Sequence, residues 1–231
     1  MLRARTRAGR LAALDRWLAH EQAALQASGA TLVDFGFGES PVTTEEWARS
    51  APQCRVVGVD YRESRSELVT LKRGGVELCA QLAPTAIVRA MNVVRSYRED
   101  EVAALHEALG AGVVEGGLVI EGSTDTDGAV LCAWLLRKAG GRLVKESLLT
   151  WTDFSRGFSP WLFRDWLPRE LRRNVKPGTA IYQALTRWAA RCTGETPRAR
   201  YLASLSGEVH ATPWEVEGGY ARLRVEHTCA R

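Results

Sequence analysis

Cysteine is sparse in this 231-residue chain, and nothing about its placement is ordered. The five cysteines (Cys54, Cys79, Cys132, Cys192 and Cys229) are scattered, odd in number and free of CxxC spacing. That argues against a disulfide framework and a cysteine-built zinc site, and it suits a reducing cytoplasm. The four histidines (His20, His106, His210 and His227) lack ligand spacing as well, so no metal is expected. His106, inside Glu101-Val-Ala-Ala-Leu-His-Glu107, reads as a helix-surface residue. Long apolar runs are missing, so no membrane partner is expected. Repeats, low-complexity tracts and flexible linkers are missing too, and one domain over 1–231 is the expectation.

Lysine is also scarce, 4 residues against 27 arginines, and alanine is abundant, as a GC-rich coding sequence produces. The net charge of +4 is uneven, because residues 1–150 hold 18 basic and 19 acidic side chains and residues 151–231 hold 13 and 8. A basic second part suits nucleic acid or an acidic substrate, and compositional bias accounts for the same arginines. Arg3, Arg5, Arg7 and Arg10 resemble the start of a transit peptide. They run on, however, into Leu11, Leu14, Trp17, Leu18 and Leu25, spaced for one helical face with Asp15 and Glu21 between. An N-terminal amphipathic helix within 1–28 is therefore expected.

What the chain does have is a regular alternation of elements. Thr31–Phe35 and Arg55–Val59 are short apolar runs suited to strands buried on both faces. Between them, Thr43 and Glu46 fit a capping box. Residues 63–73 read as a helix, Val76–Cys79 as a weak third strand, and Ala86–Met91 as a fourth. A helix over Glu99–Leu109, a strand over Gly117–Glu121, a helix over Gly128–Lys138 and a strand over Arg142–Trp151 follow. Helices are expected at 178–192 and 197–206, and a hairpin around Gly218-Gly219. The alternation predicts an α/β fold with a doubly wound, mostly parallel sheet. Asp34, Asp60, Asn92 and Glu121 then fall at carboxyl ends of strands, where such sheets bind ligands.

The most informative stretch is Val33-Asp-Phe-Gly-Phe-Gly-Glu-Ser-Pro41. Asp34, Phe35, Gly36, Phe37 and Gly38 form a glycine-pinched turn after a strand, and Asp60 ends the next strand, where an acid accepts hydrogen bonds from ribose hydroxyls. A dinucleotide fingerprint requires glycine at position 41, which is proline, and Glu39 is poorly placed beside a pyrophosphate. A phosphate-free cationic cofactor such as S-adenosyl-L-methionine fits better.

Val33–Gly38 resembles the first motif of class I S-adenosylmethionine-dependent methyltransferases, an acid-x-Gly-x-Gly pattern; Ser40 replaces that family's third glycine. Over residues 30–150 the element order is similar as well, which suggests a methyltransferase-like branch of bacterial type. The resemblance implies a Rossmann-like seven-stranded sheet, with the closing hairpin giving an antiparallel last strand and a helical insertion at 151–206 before it. It also implies that Asp34 to Gly38, Asp60, Tyr61 and Asn92 contact the cofactor. Tyr61 would flank the adenine, or else it is a packing aromatic. Asn92 would orient an acceptor or touch the methionine part, or else satisfy backbone groups at a strand end.

The acceptor is less legible. Methylation of exocyclic amines in nucleic acids is disfavoured, because Ala90-Met-Asn-Val-Val94 lacks that group's Asn/Asp-Pro-Pro-aromatic run. Arg89–Tyr97 and Gly116–Ser123 are similar to segments of chemotaxis-receptor carboxyl methyltransferases, though the helical domain of that family is absent. The expected function is methyl transfer to a small molecule or protein side chain. The alternatives are a non-catalytic module binding protein or RNA and, further off, an NAD(P)-dependent oxidoreductase. Asn92 is the candidate catalytic residue. Glu121 is a base or a structural group, and Asp125 and Asp127 resemble a turn and a helix cap. Trp151, Phe154, Phe158, Trp161, Phe163 and Trp166 form a lid or a core, and Arg169, Arg172 and Arg173 an anion anchor or a solvated face.

Overall fold

The β-branched and aliphatic runs form one nine-stranded sheet in a computed structural model that describes residues 6–205, 209–211 and 219–224. In chain order the strands are β1 (Thr31–Phe35), β2 (Arg55–Asp60), β3 (Thr70–Arg73), β4 (Thr85–Met91), β5 (Val113–Thr124), β6 (Val130–Ala139), β7 (Arg142–Thr152), β8 (Val209–Ala211) and β9 (Gly219–Arg224). Their order across the sheet is β3-β2-β1-β4-β5-β6-β7-β9-β8. Strands β1 to β5 pair in parallel, and from β5 onward every pairing is antiparallel. The expected doubly wound α/β sheet is present, with nine strands in place of seven. The insertion therefore precedes the last two strands.

Among the described residues seven α-helices flank the sheet: α1 (Ala12–Glu21), α2 (Val42–Ser50), α3 (Glu77–Gln81), α4 (Val102–Leu109), α5 (Arg169–Arg172), α6 (Ala180–Ala190) and α7 (Pro197–Ser204). Alternate strand residues separate onto the two faces, as buried strands require. Leu32, Val56, Ile87, Leu118 and Leu131 pack against Leu14, Trp17 and Leu18 of α1 and Trp47 of α2. Val33, Val57, Val88, Val119 and Cys132 pack against the opposite layer, which runs from α3 and α4 to α6 and α7.

Several expectations are corrected. Residues 128–138 are not a helix but β6, in a hairpin with β5. The run Val130–Leu136 is buried throughout, with Val130, Cys132, Trp134 and Leu136 on one face and Leu131, Ala133 and Leu135 on the other. An unbroken apolar run has no visible period, so it does not distinguish a buried strand from a buried helix. No helix spans 63–73: Thr70–Arg73 is the third strand, at the sheet edge, and Val76–Cys79 is the N-cap and first three residues of α3. The N-terminal helix is shorter than 1–28, with a separate 3-10 turn at Ala23–Gln26. The Thr43 cap is absent: α2 is preceded by Pro41, and no side chain caps it. The hairpin exists as β8 and β9, but Gly219 lies within β9, and Gly218 is outside the described residues.

The aromatic run after β7 is core. Phe158 and Phe163 are buried against Trp188 and Tyr201, with the Phe163 and Trp188 rings stacked 5.6 Å apart. They belong to the same hydrophobic layer as Trp134, Leu136 and Leu148, the face that β6 and β7 would otherwise leave bare. Each such side chain contributes roughly 1.5–3 kcal/mol by leaving water. Trp161 and Trp166 are half-buried at the margin of that layer.

Candidate functional site

The glycine turn begins where β1 ends. Gly36 and Gly38 have φ of 78° and 87°, a left-handed conformation that side-chain-bearing residues adopt only at a cost. The Gly36 N–H donates to the Val59 carbonyl at 2.7 Å, tying the turn to β2. Asp60 closes it from the side: Oδ2 accepts the Gly38 N–H and Oδ1 the Arg62 N–H, both at 2.9 Å. Because a carboxylate carries about four lone-pair sites, it retains acceptor capacity after these two bonds.

The glycines also admit close neighbours. A Cβ on Gly36 would stand 2.3 Å from Val93 Cγ2, so the turn packs against the segment after β4. A Cβ on Gly38 would meet Thr6 Oγ1 at 2.9 Å, and that hydroxyl donates to the Phe37 carbonyl. Phe35 and Phe37 are buried, Phe37 with its ring over Gly58. Both phenylalanines therefore offer the site only their backbone.

Asn92 follows β4 in a left-handed conformation (φ 62°), which asparagine tolerates better than most residues. Its N–H donates to the Gly122 carbonyl at 2.7 Å, and its Oδ1 accepts the Thr124 N–H at 3.2 Å. The side chain thus bridges the ends of β4 and β5. Tyr61 is exposed, with its hydroxyl standing over Gly75 in the turn after β3. Burial, reinforced by the nearby Tyr61 and Glu101, raises the proton affinity of Tyr97. Gly36, Gly38, Asp60, Tyr61 and Asn92 all follow or end β1, β2 or β4, three adjacent strands, at the switch point between β1 and β4.

Asp34 is used differently. Its carboxylate is buried on the α1–α2 face, where Oδ1 accepts from Arg89 Nε at 2.9 Å and Oδ2 from Thr44 Oγ1 at 2.6 Å. Arg89, fully buried over the Trp47 ring, also pairs with Asp15 of α1 and donates to the Thr43 carbonyl. Burial pushes the Asp15 carboxyl up to about 7, with Arg89 opposing and Asp34 adding to the shift. One cation facing two buried carboxylates leaves an excess negative charge, which a proton on Asp15 removes. Sequence reasoning did not find this trio. The signal available was a lone arginine inside the apolar run Ala86–Met91.

The N-terminal segment is the other feature the sequence reading missed. Residues 6–10 cross the carboxyl edge of the sheet: Thr6 bonds Phe37, Arg7 pairs with Asp127, and the Gly9 N–H donates to Glu46 Oε1. Arg10 Nε and Nη2 donate to the Asp125 and Thr124 carbonyls at 2.8 and 3.0 Å. Asp125 accepts the Val130 N–H and pairs with Arg156, so it shapes the β5–β6 turn. Glu121 lies inside β5, not at its end, and is buried 3.5 Å from His106, which is buried rather than on the surface. Burial raises the Glu121 pKa, with His106 opposing.

The turn has charge of both signs near it: the Arg62 guanidinium would stand 3.7 Å from a Cβ on Gly38, and the stretch that follows the turn in sequence is acidic. No lysine or arginine lies in Glu39–Glu46, whereas Glu39, Glu45 and Glu46 do, and the buried Glu46 Oε2 has no hydrogen-bond partner. Among the described residues no group of three His, Cys, Asp or Glu could hold a metal ion, and no helix is long and apolar enough to cross a membrane. A cavity of about 950 Å³, lined by Glu45, Arg49 and residues 64–69 and 71, shares no residue with the glycine turn.

Fold and site together define a Rossmann-like α/β protein with a glycine turn at its switch point. Over part of its length the chain is similar to solved S-adenosylmethionine-dependent methyltransferases. Magnesium protoporphyrin IX methyltransferase from Synechocystis, with S-adenosylmethionine bound, is 15% identical, with 61% of this chain and 76% of that one covered and a TM-score of 0.40. A methyltransferase from Archaeoglobus fulgidus is 12% identical over 48% and 52% of the two chains, with a TM-score of 0.38. An O-methyltransferase family 2 protein from Planctomyces limnophilus is 20% identical over 42% of this chain, with a TM-score of 0.34; the match spans about a third (32%) of that protein. No known family profile matches the chain, and no curated protein does.

Proposed function

We propose that this chain is an S-adenosylmethionine-dependent methyltransferase acting on a small molecule or a protein side chain. The observation that carries the reading is the Gly36–Gly38 turn at the switch point, closed by Asp60 and followed in sequence by three carboxylates within Glu39–Glu46. Asp60 would hold the ribose hydroxyls, Tyr61 would flank the adenine, and the backbone of Phe35 to Gly38 would line the methionine part. When bound, the cofactor would supply an electrophilic methyl group on a sulfonium, passed to the acceptor as the carbon–sulfur bond breaks in line and the neutral thioether S-adenosylhomocysteine leaves. The protein's share of catalysis is then orientation and exclusion of water. Asn92, held by Gly122 and Thr124, fixes the edge on which an acceptor would rest. Asp34 acts as a positioning residue, anchoring the turn from the opposite face through Arg89 and Thr44.

A second reading, a non-catalytic module of the same fold, draws on the state of Asn92 and Glu121. The Asn92 carbonyl oxygen is taken by a backbone N–H, and Glu121 is buried away from the turn, so neither stands ready as a general base. Thermal-shift measurements with S-adenosylmethionine, NAD and NADP separate the readings. Stabilisation by S-adenosylmethionine alone supports the proposal, and stabilisation by NAD or NADP alone overturns it. Methylation of a candidate acceptor then separates enzyme from binding module.

A further inference from the structure

Residues 6–10 run in front of the switch point. Thr6 Oγ1 donates to the Phe37 carbonyl at 3.1 Å, beyond the end of β1, and Arg10 donates to the Thr124 and Asp125 carbonyls, where β5 ends. In the sheet β4 lies between those two strands. Two strand spacings are about 10 Å, a distance that five residues can cover. The segment therefore passes the carboxyl end of β4, which Asn92 follows, and reaches the glycine turn on its far side.

Its two ends are held unequally. Arg10 is buried, with two side-chain bonds to carbonyls, and its own carbonyl oxygen would stand 2.4 Å from a Cβ on Gly128. Segment and β5–β6 turn thus meet backbone to backbone at that end. The other end has one hydrogen bond from half-buried Thr6 and an ion pair between the exposed side chains of Arg7 and Asp127. An exposed pair adds little to stability. Gly9 lies between the ends with φ of 76°, and among the described residues a Cβ there would meet nothing within 4 Å. A glycine with that space around it can serve as a pivot.

Thr6 also takes what the turn has to offer a ligand. The Phe37 ring is buried over Gly58, so the backbone carbonyl is its available group, and the Thr6 hydroxyl holds it. The same hydroxyl would stand 2.9 Å from a Cβ on Gly38. The close approach that glycine allows is here made by the chain itself.

Building on the methyltransferase reading above, we propose that residues 6–9 are a self-inhibitory latch over the glycine turn, which swings out about Gly9 when the amino group of S-adenosylmethionine takes the Phe37 carbonyl from Thr6. An ammonium makes a stronger hydrogen bond than a hydroxyl, so the exchange favours the ligand. The fixed end at Arg10 keeps the segment at hand to close again when the ligand leaves. A chain that is mostly latched binds more weakly than its open form, in proportion to the open fraction.

Stopped-flow and calorimetric binding of S-adenosylhomocysteine, which carries the same amino group, to the full chain and to Thr6→Val test this. Valine keeps the branched shape and removes the hydroxyl. Thr6→Val should bind faster and more tightly by roughly two- to tenfold, the worth of one hydrogen bond. Arg7→Ala should shift binding the same way by a smaller factor, and both variants leave Arg10 in place. Trypsin cleavage after Arg7, followed by mass, should be faster in the parent chain once S-adenosylhomocysteine is bound. Weaker binding by Thr6→Val overturns the inference, as does equal or slower cleavage after Arg7 with ligand bound, the sign of a lid that closes over it. If S-adenosylhomocysteine binds parent and Thr6→Val alike, this inference alone falls. If it binds neither at millimolar concentration, the methyltransferase reading falls and the inference with it.

Discussion

Arg89 and Asp34 stand at paired positions on the adjacent parallel strands β4 and β1, with Arg89 Nε donating to Asp34 Oδ1 at 2.9 Å. The acid that opens the glycine motif is thereby joined to the core on the face opposite the α3–α4 layer, and through Thr44 to the start of α2. Its side chain shapes the turn without lining it.

Replacing Arg89 by methionine leaves the Asp15 and Asp34 carboxylates buried without their cation. Removing one partner of a buried ion pair typically costs about 3–5 kcal/mol. Urea unfolding of Arg89→Met should show a loss of that order, and unchanged stability would remove the trio from the account.

Asp15 supplies a pH signature. Its folded pKa of about 7 lies above the unfolded value of roughly 3.9. Between those values the folded chain holds a proton that the unfolded chain has released. The resulting stabilisation is complete below the unfolded value and is lost as pH rises through the folded one. Asp15→Asn keeps the shape of the neutral acid and cannot ionise. The stability difference between Asp15→Asn and the parent should therefore grow in the variant's favour from pH 4 to 8 in urea titrations. A pH-independent difference contradicts this.

Gly36→Ala meets two obstacles, a left-handed backbone costing about 1–2 kcal/mol and a Cβ 2.3 Å from Val93 Cγ2. Val93→Ala removes only the second. The double variant should recover part, not all, of the lost stability in a double-mutant cycle. Full additivity would show that Gly36 and Val93 do not meet.

Arg10 closes the N-terminal segment over the β5–β6 turn through the Thr124 and Asp125 carbonyls. Arg10→Ala should speed amide exchange across residues 124–130 and weaken S-adenosylhomocysteine binding, leaving exchange in β1 and β2 unchanged. Unaltered exchange at 124–130 would show that the segment does not hold the turn.

The parallel core was legible because Thr31–Phe35, Arg55–Val59 and Ala86–Met91 are short, apolar and bounded by breakers. The glycine turn and Asp60 were legible because their chemistry depends on residue type at close spacing. The β6 strand was not, since Val130–Leu136 is buried on both faces and lacks a period. β3 was obscured because an edge strand of four residues, Thr70–Arg73, has little apolar pattern to show. The Asp15–Arg89–Asp34 trio brings together residues far apart in the chain. Only the tertiary fold unites them.

The most direct measurement is calorimetric titration of the chain and of Asp60→Ala with S-adenosylhomocysteine. The parent chain should bind, and Asp60→Ala should bind about tenfold or more weakly, the scale of a charge-assisted hydrogen bond. Absence of binding at millimolar ligand, or equal binding by the two proteins, would contradict the assignment of the glycine turn and Asp60 to the methyl donor.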